Sequence, residues 1–318
     1  MAEGTVLGGN ILVLGGTGFI GATLSNRLAD LSYRVRAFGR APSEHLNHKV
    51  EFYRGDFSNP ADVEGALHGQ DIVFHLVQGT PPSLVDADIA GDLQRTVFPT
   101  LSLLQQCLKS HAKRVIFVSS GGTVYGEPVG HVLHEESTTS PISGYGAHKL
   151  LIENYLHIFH QNHAMDCRVA RLSNPYGPHQ DPQKGVGLIA AVATAIAAGQ
   201  PISIFGTGQN ERDYLYISDA IDALLKLMSY EGDHRLFNVG SGIGRSILDI
   251  IAAVEAVSGL TAKRNFLPTR PFDVSRNVLD VGLAKRELAW RPTTPLLEGI
   301  ALTLRQNQHA TEGAHAKV

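Results

Sequence analysis

The chain has 318 residues, 43% hydrophobic and 18% charged, with a formal net charge of −3. That composition describes a globular chain with a sizeable core, and the charge gives no reason to expect nucleic acid or an anionic membrane surface as a partner. The opening MAEGTVLGGN lacks a basic start and an apolar core, so it does not read as a signal peptide, and no apolar run approaches the ~20 residues of a membrane span.

Asn10–Leu14, NILVL, reads as a strand, followed by a helical stretch to about Leu31. Between them, VLGGTGFIG sets Gly15, Gly18 and Gly21 in G-x-x-G-x-x-G spacing. In a strand–turn–helix context the first glycine permits a tight turn, the second admits a pyrophosphate to backbone N–H groups, and the third lets helix pack on strand. Phe19 and Ile20 at the helix start belong to the same cradle.

A second strand reads YRVRAF, 33–38. A carboxylate for the adenosine ribose is expected at its end, but Gly39 stands there, followed by Arg40. Without that acid nothing repels a 2′-phosphate, and Arg40 can pair with one, so NAD and NADP both remain open. VEFY, 50–53, is the third strand, and the GDFSNPADV after it offers Asp56 and Phe57 as a clasp for the adenine edge. A turn-forming role is the alternative for Asp56.

DIVFHL (71–76), RVIFVS (114–119) and CRVARL (167–172) continue the strands, with amphipathic helical stretches at 92–110 and 144–162 between them. Nearly continuous apolar strands separated by helices predict an α/β fold, a doubly wound parallel sheet covered on both faces. After 174 the pattern changes. NPYGPHQDPQKGVG and IFGTGQNERDY read as loops, with helical stretches at 218–230 and 246–258 around FNVG. The expected organisation is a dinucleotide-binding region over 1–173 that shares strands with later segments, a smaller substrate-binding lobe over 174–306, and an aperiodic, disordered tail over 307–318.

YGAHKLLIENY places Tyr145 and Lys149 four apart, on one helix face. An ammonium beside a phenol favours phenolate, a base suited to an alcohol proton. VSSGGTVYG, 118–126, offers Ser120 and Thr123 as a second hydroxyl at that site. Its glycine pair leaves the backbone path open, and Thr123 is the first choice, then Ser120. His157, His160 and His163 recur on one helix, but no spacing completes a metal site. Cys107 and Cys167 read as buried thiols, which with the missing leader suggests a reducing, cytoplasmic location.

The glycine spacing, Asp56, the SS-x-x-TVYG stretch, Tyr145 with Lys149, RLSNPYGP and GQNERDY together resemble the extended short-chain dehydrogenase/reductases over about residues 10–300. Within them the chain is most similar to nucleotide-sugar epimerases of the UDP-glucose 4-epimerase type. The resemblance implies Tyr145 as acid/base and Lys149 as holder of the nicotinamide ribose. Asn174 is expected on the substrate diphosphate, and Arg212 and Arg270 as a grip on its pyrophosphate, which suits paired guanidiniums. It also implies tightly bound NAD, a nucleotide-diphosphate sugar as partner, and a homodimer formed through the two long helices. Thr96 stands where the family often has Asn, and Gly121 where it often has its catalytic Ser or Thr. Asn277 falls where the family sets tolerance at the sugar C2 substituent. A one-way NADPH reductase is the alternative activity, and a cofactor-bound sensor or scaffold without catalysis the third.

Overall fold

The computed structural model describes residues 9–127, 132–181, 187–270 and 274–315, with side chains to 305. Residues 1–8, read above as no leader, and the last three of the tail lie outside the described residues.

The large sheet holds seven strands: β1 (Asn10–Leu14), β2 (Arg34–Gly39), β3 (Glu51–Arg54), β4 (Ile72–His75), β5 (Arg114–Ser120), β6 (Asp166–Leu172) and, after a long excursion, β10 (Leu236–Val239). Their spatial order is β10-β6-β5-β4-β1-β2-β3, and every pairing is parallel. The order reverses between β1 and β4, so a crevice opens at the carboxyl ends of those strands.

Alternation along each strand feeds two cores. Ile11 and Val13 face α1 (Phe19–Asp30) and α7 (Ile217–Ser229). Leu12 and Leu14 face the other layer, formed by α2 (Pro60–Leu67), α4 (Phe98–Ser110) and α5 (Gly144–His163). Fully buried strands on both faces explain why they read as continuous apolar runs.

The first long helix is not uniform. α3 (Ile89–Asp92) passes through a π-helical turn, Leu93–Val97, into α4. Pro99 lies two residues beyond the turn. Proline has no N–H for the carbonyl four residues back and crowds it, which a wider turn relieves.

The remaining elements build the second lobe. β9 (Glu211–Tyr216) is flanked by β7 (Asn174–Tyr176), β11 (Gly244–Ser246) and β13 (Arg276–Asn277). β8 (Pro201–Phe205) pairs with β12 (Lys263–Leu267). α6 (Leu188–Ala197), α8 (Ile247–Ser258) and α10 (Leu296–His315) pack a third core around Tyr176, Tyr214 and Ile300, while α9 (Gly282–Glu287) packs near β10. Two stretches read as loops thus carry strands: β7 lies in NPYGP and β9 begins in NERDY. Their glycines and prolines flank strands too short to show periodicity. The tail expected from 307 to be aperiodic is helical as far as His315.

Candidate active site

The crevice starts with backbone. Gly15 has φ +79°, a left-handed conformation that favours glycine. A Cβ on Gly21 would lie 2.1 Å from the Gly15 carbonyl oxygen, and one on Gly16 2.7 Å from Ala37 Cβ. These two glycines seat helix against strand. Gly18 differs: it is exposed, the nearest atom to an added Cβ is 3.4 Å away, and as N-cap of α1 it brings no side chain to the first N–H groups. An uncapped helix start behind an open glycine fits a pyrophosphate. Phe19 and Ile20 follow on the first turn, half-buried against the core.

At the end of β2, a Cβ on Gly39 would sit 2.5 Å from Thr17 Oγ1. The threonine of GGTG occupies the space an acid at position 39 would need. Arg40 is exposed beside it. Of the two residues expected to clasp the adenine edge, Asp56 is exposed and Phe57 is buried. Asp56 Oδ1 accepts from Ser58 N at 2.8 Å, and its own N–H donates to Asp62 at 2.7 Å, so it shapes a turn. Phe57 is buried, its ring 5.0 Å from that of His75.

The catalytic candidates meet where β5 faces the start of α5. Ser143 caps that helix by accepting from Gly146 N at 3.2 Å. A Cβ on Gly146 would lie 2.6 Å from the Thr123 carbonyl oxygen. This glycine therefore lets the helix start, and Tyr145 with it, come close to the VSSGGTVYG turn. Lys149 is buried and donates to the Val118 carbonyl at 3.1 Å. Its Nζ lies 4.7 Å from the Phe117 ring centroid and 5.6 Å from that of Tyr145.

The two candidate hydroxyls have different surroundings. Ser120 reaches the Tyr145 phenol. Thr123 Oγ1 is buried and accepts or donates no hydrogen bond. Ser120 ends β5, where Ser119 points to the opposite face and donates to Glu153. Strand alternation thus puts Ser120 on the face opposite Ser119 before the glycines begin. Of those glycines, Gly121 packs beneath Leu279, 2.6 Å from an added Cβ, while Gly122 opens toward Ser120 and Asn174 at 3.7 and 3.8 Å.

Lysine does not set the phenol's acidity here. Burial pushes Tyr145 up to about 12, the Ser120 contact eases the rise, and the Asp92 charge adds to it. Burial also pushes Lys149 down to about 8, opposed by the negative charges of Asp92 and Glu153. His75, at the end of β4, is pushed down to about 3 by burial and then by Lys149. It stays neutral, 2.8 Å from Thr100 Oγ1.

In the second lobe, strand register gathers three expected substrate residues. Asn174 stands opposite Tyr214, and Asn277 and Arg245 flank Arg212 on either side of β9. Asn174 Nδ2 donates to the Asp213 carbonyl at 2.8 Å, and Asn277, fully buried, donates to the Gly121 carbonyl at 3.0 Å. Asn277 therefore ties this small sheet to the VSSGGTVYG turn, while its Oδ1 has no partner. Arg270 follows β12, its guanidinium 4.1 Å from the Phe205 ring at the end of β8.

Elsewhere, His160 Nδ1 lies 2.9 Å from the Met165 carbonyl beyond the end of α5. Among the described residues no group of three or more His, Cys, Asp or Glu could hold a metal, and no helix is long and apolar enough to cross a membrane. Both cysteines are buried, with thiols pushed up to about 12 by burial. Sequence reasoning missed Thr17, His75, Asp92 and His148. The last was the most accessible, because it interrupts Y-G-A-H-K immediately before the lysine.

Comparison with known proteins agrees with this geometry. The NAD dependent epimerase/dehydratase family profile matches residues 11–240. A UDP-glucose 4-epimerase of Mycolicibacterium smegmatis is 33% identical over 303 residues, covering 92% of this chain and 96% of that protein. The structure of UDP-glucose 4-epimerase with UDP-glucose from Thermotoga maritima superposes with a TM-score of 0.91 at 33% identity, covering 95% of this chain and 99% of the other. That of Thermus thermophilus UDP-glucose 4-epimerase with NAD does so at 0.88 and 29%, again over 95% and 99%. With a profile match over most of its length and such relatives end to end, the chain belongs to the NAD-dependent epimerase/dehydratase family.

Proposed function

We propose that this protein is an NAD-dependent nucleotide-sugar 4-epimerase acting on a UDP-sugar. The observation that carries the reading is the placement of Ser120, Tyr145 and Lys149 together at the crevice that the glycine cradle opens. Tyr145 accepts the proton of the sugar 4-hydroxyl, with Ser120 positioned to orient or relay it. A nicotinamide held at the glycine cradle would supply the hydride acceptor and donor for C4. The 4-keto sugar turns between the two transfers, and Tyr145 gives the proton back on the other face. No net oxidation occurs, so the cofactor is held tightly. Oxidised nicotinamide bound in the crevice would supply the positive charge that Lys149 alone does not.

Asn174, Arg212 and Asn277 supply the substrate side, with Arg270 reaching from the neighbouring sheet. Thr123 lines the turn rather than reacting. A reductase using NADPH is the second reading, favoured by one feature: Gly39 and Thr17 leave no carboxylate against a 2′-phosphate, and Arg40 is exposed beside them. The protein is further read as a cytoplasmic homodimer. Phe98 on α4 is 58% exposed and Ile158 on α5 45% exposed. The two helices lie side by side, so a second copy of the chain can cover both. Sedimentation giving a monomer at micromolar concentration would remove the dimer.

The deciding experiment denatures purified protein, identifies the released nucleotide, and assays interconversion of UDP-galactose and UDP-glucose without added reductant. Bound NAD with activity that Tyr145→Phe lowers about 10²–10⁴-fold, the span of general acid–base catalysis, is expected. Empty protein that turns over a 4-keto sugar only with NADPH would replace the epimerase by the reductase.

A further inference from the structure

Asp92 has no exposed surface. Its Oδ2 lies 2.6 Å from His148 Nδ1, and its Oδ1 accepts from the Thr96 hydroxyl at 2.8 Å and from the Gln78 amide at 3.5 Å. A carboxylate surrounded by donors accepts, so His148 carries its proton on Nδ1. Thr96 in turn accepts from Gly79 N at 3.0 Å. One buried carboxylate thus joins the loop after β4, the π-helical turn and the start of α5. His148 lies three residues after Tyr145 and one before Lys149.

We propose that the Asp92–His148 pair is a positioning element that fixes the place and the charge of Tyr145 and Lys149. It rests on the reading of Tyr145 as the acid/base. Of the charges around it, Asp92 is the one that acts on both groups. Glu153, the other carboxylate near Lys149, is matched by Arg171, whose guanidinium donates to both its oxygens at 2.6–3.1 Å. Asp88 and Arg95, on the same side as Asp92, pair with each other at 2.8 Å. His75, on β4, is held neutral. The Asp92 charge therefore acts on the phenol and the ammonium with the same sign, raising the proton affinity of both.

The π-helical turn gives this arrangement its reach. A widened turn displaces the residues that follow it along the helix relative to those before. Asp92 just ahead of the turn and Thr96 within it still share a hydrogen bond. Thr96 can then meet the Gly79 N–H while Asp92 meets α5.

The test is the pH profile of kcat/KM for UDP-galactose epimerisation by the full-length protein. Tyr145 must lose its proton to act as base, and Lys149 must keep its own. In Asp92→Asn both lose protons more easily. The whole profile therefore moves to lower pH, by about half to one unit for one nearby charge, whichever group limits the rate. His148→Ala is expected to lower kcat about tenfold, the weight of one lost hydrogen bond to a charged group, with KM nearly unchanged. His148→Gln, whose amide can still donate to Asp92, recovers most of that loss. An unmoved profile in folded Asp92→Asn, or a Gln variant no better than the Ala variant, would reduce the pair to a tie between helices. If Asp92→Asn fails to fold, the His148 variants decide alone. Activity surviving in Tyr145→Phe would instead overturn the reading of the site itself.

Discussion

The two ends of the crevice are built differently. The cradle at Gly15–Gly21 consists of backbone and of room that side chains would fill: removing a Cβ is its whole design, and it is local in sequence. The catalytic end consists of side chains from β4, β5, the helix broken at its π turn, and α5, brought together only by the fold. Variants should therefore behave differently. In the cradle, adding atoms does the damage. At the catalytic end, removing single polar atoms does.

The largest effect is expected where the cradle is tightest. A Cβ on Gly21 would lie 2.1 Å from a backbone oxygen that has no flexible end to move. Gly21→Val should therefore leave protein that either aggregates on expression or, if folded, retains no nucleotide after gel filtration. Gly18→Ala is the internal control, since its added methyl meets nothing closer than 3.4 Å. It should fold normally and lose only affinity. Equal damage from the two would show that α1 does not pack as described.

Next in size is Lys149. Its ammonium is buried, and burial brings it down to about 8. The unfolded chain holds that proton up to the ordinary lysine range, so between about pH 8 and 10.5 the unfolded state binds more protons than the folded one, and stability from this group rises with pH. Below pH 8 the folded protein bears the full cost of a buried charge. Lys149→Met should therefore lose turnover by about 10²-fold or more while melting at a higher temperature than wild type at pH 7. That advantage should shrink by pH 10. A variant less stable at pH 7 would mean that the Val118 carbonyl contact outweighs the burial cost.

How much of this could be read from the sequence follows the same division. β1 was legible residue for residue, and the parallel sheet followed from buried apolar runs, though not the order of its strands. Tyr145 and Lys149 were legible because helical spacing is local. The choice between Ser120 and Thr123 was not, because it depends on where β5 stops alternating, and the two glycines after it follow no period. Asp92 escaped because its meaning lies in a contact with His148 across 56 residues of sequence. Arg212 and Asn277 were named from resemblance, and only the pairing of β9 with β13 brings them side by side. The hydroxyl question now has a direct check. Ser120→Ala should slow turnover about tenfold, as one lost hydrogen bond of about 1.4 kcal/mol would do, and Thr123→Val should be close to wild type. The opposite order would place the end of β5 one register away.

The smallest effect, and the most informative about the cradle, concerns the ribose end. Family pattern favours an acid at the end of β2, and placing one there looks like a simple gain in preference for NAD over NADP. The structure adds a condition. Gly39→Asp alone drives its Cβ into Thr17 Oγ1, 2.5 Å away. The threonine must turn or the strand end must shift, and either movement disturbs the same turn that holds the pyrophosphate. The single variant should therefore bind both cofactors more weakly, with little change in their ratio. Thr17→Ala with Gly39→Asp removes the obstruction. It should recover NAD binding and shift the ratio toward NAD by about tenfold, one charge-assisted hydrogen bond to the ribose against one repelled phosphate. Quenching of protein fluorescence as apo protein is titrated with each nucleotide reads both quantities without turnover. If Gly39→Asp alone already gives the full shift, Thr17 does not occupy the space of the missing acid, and the open ribose end has another cause.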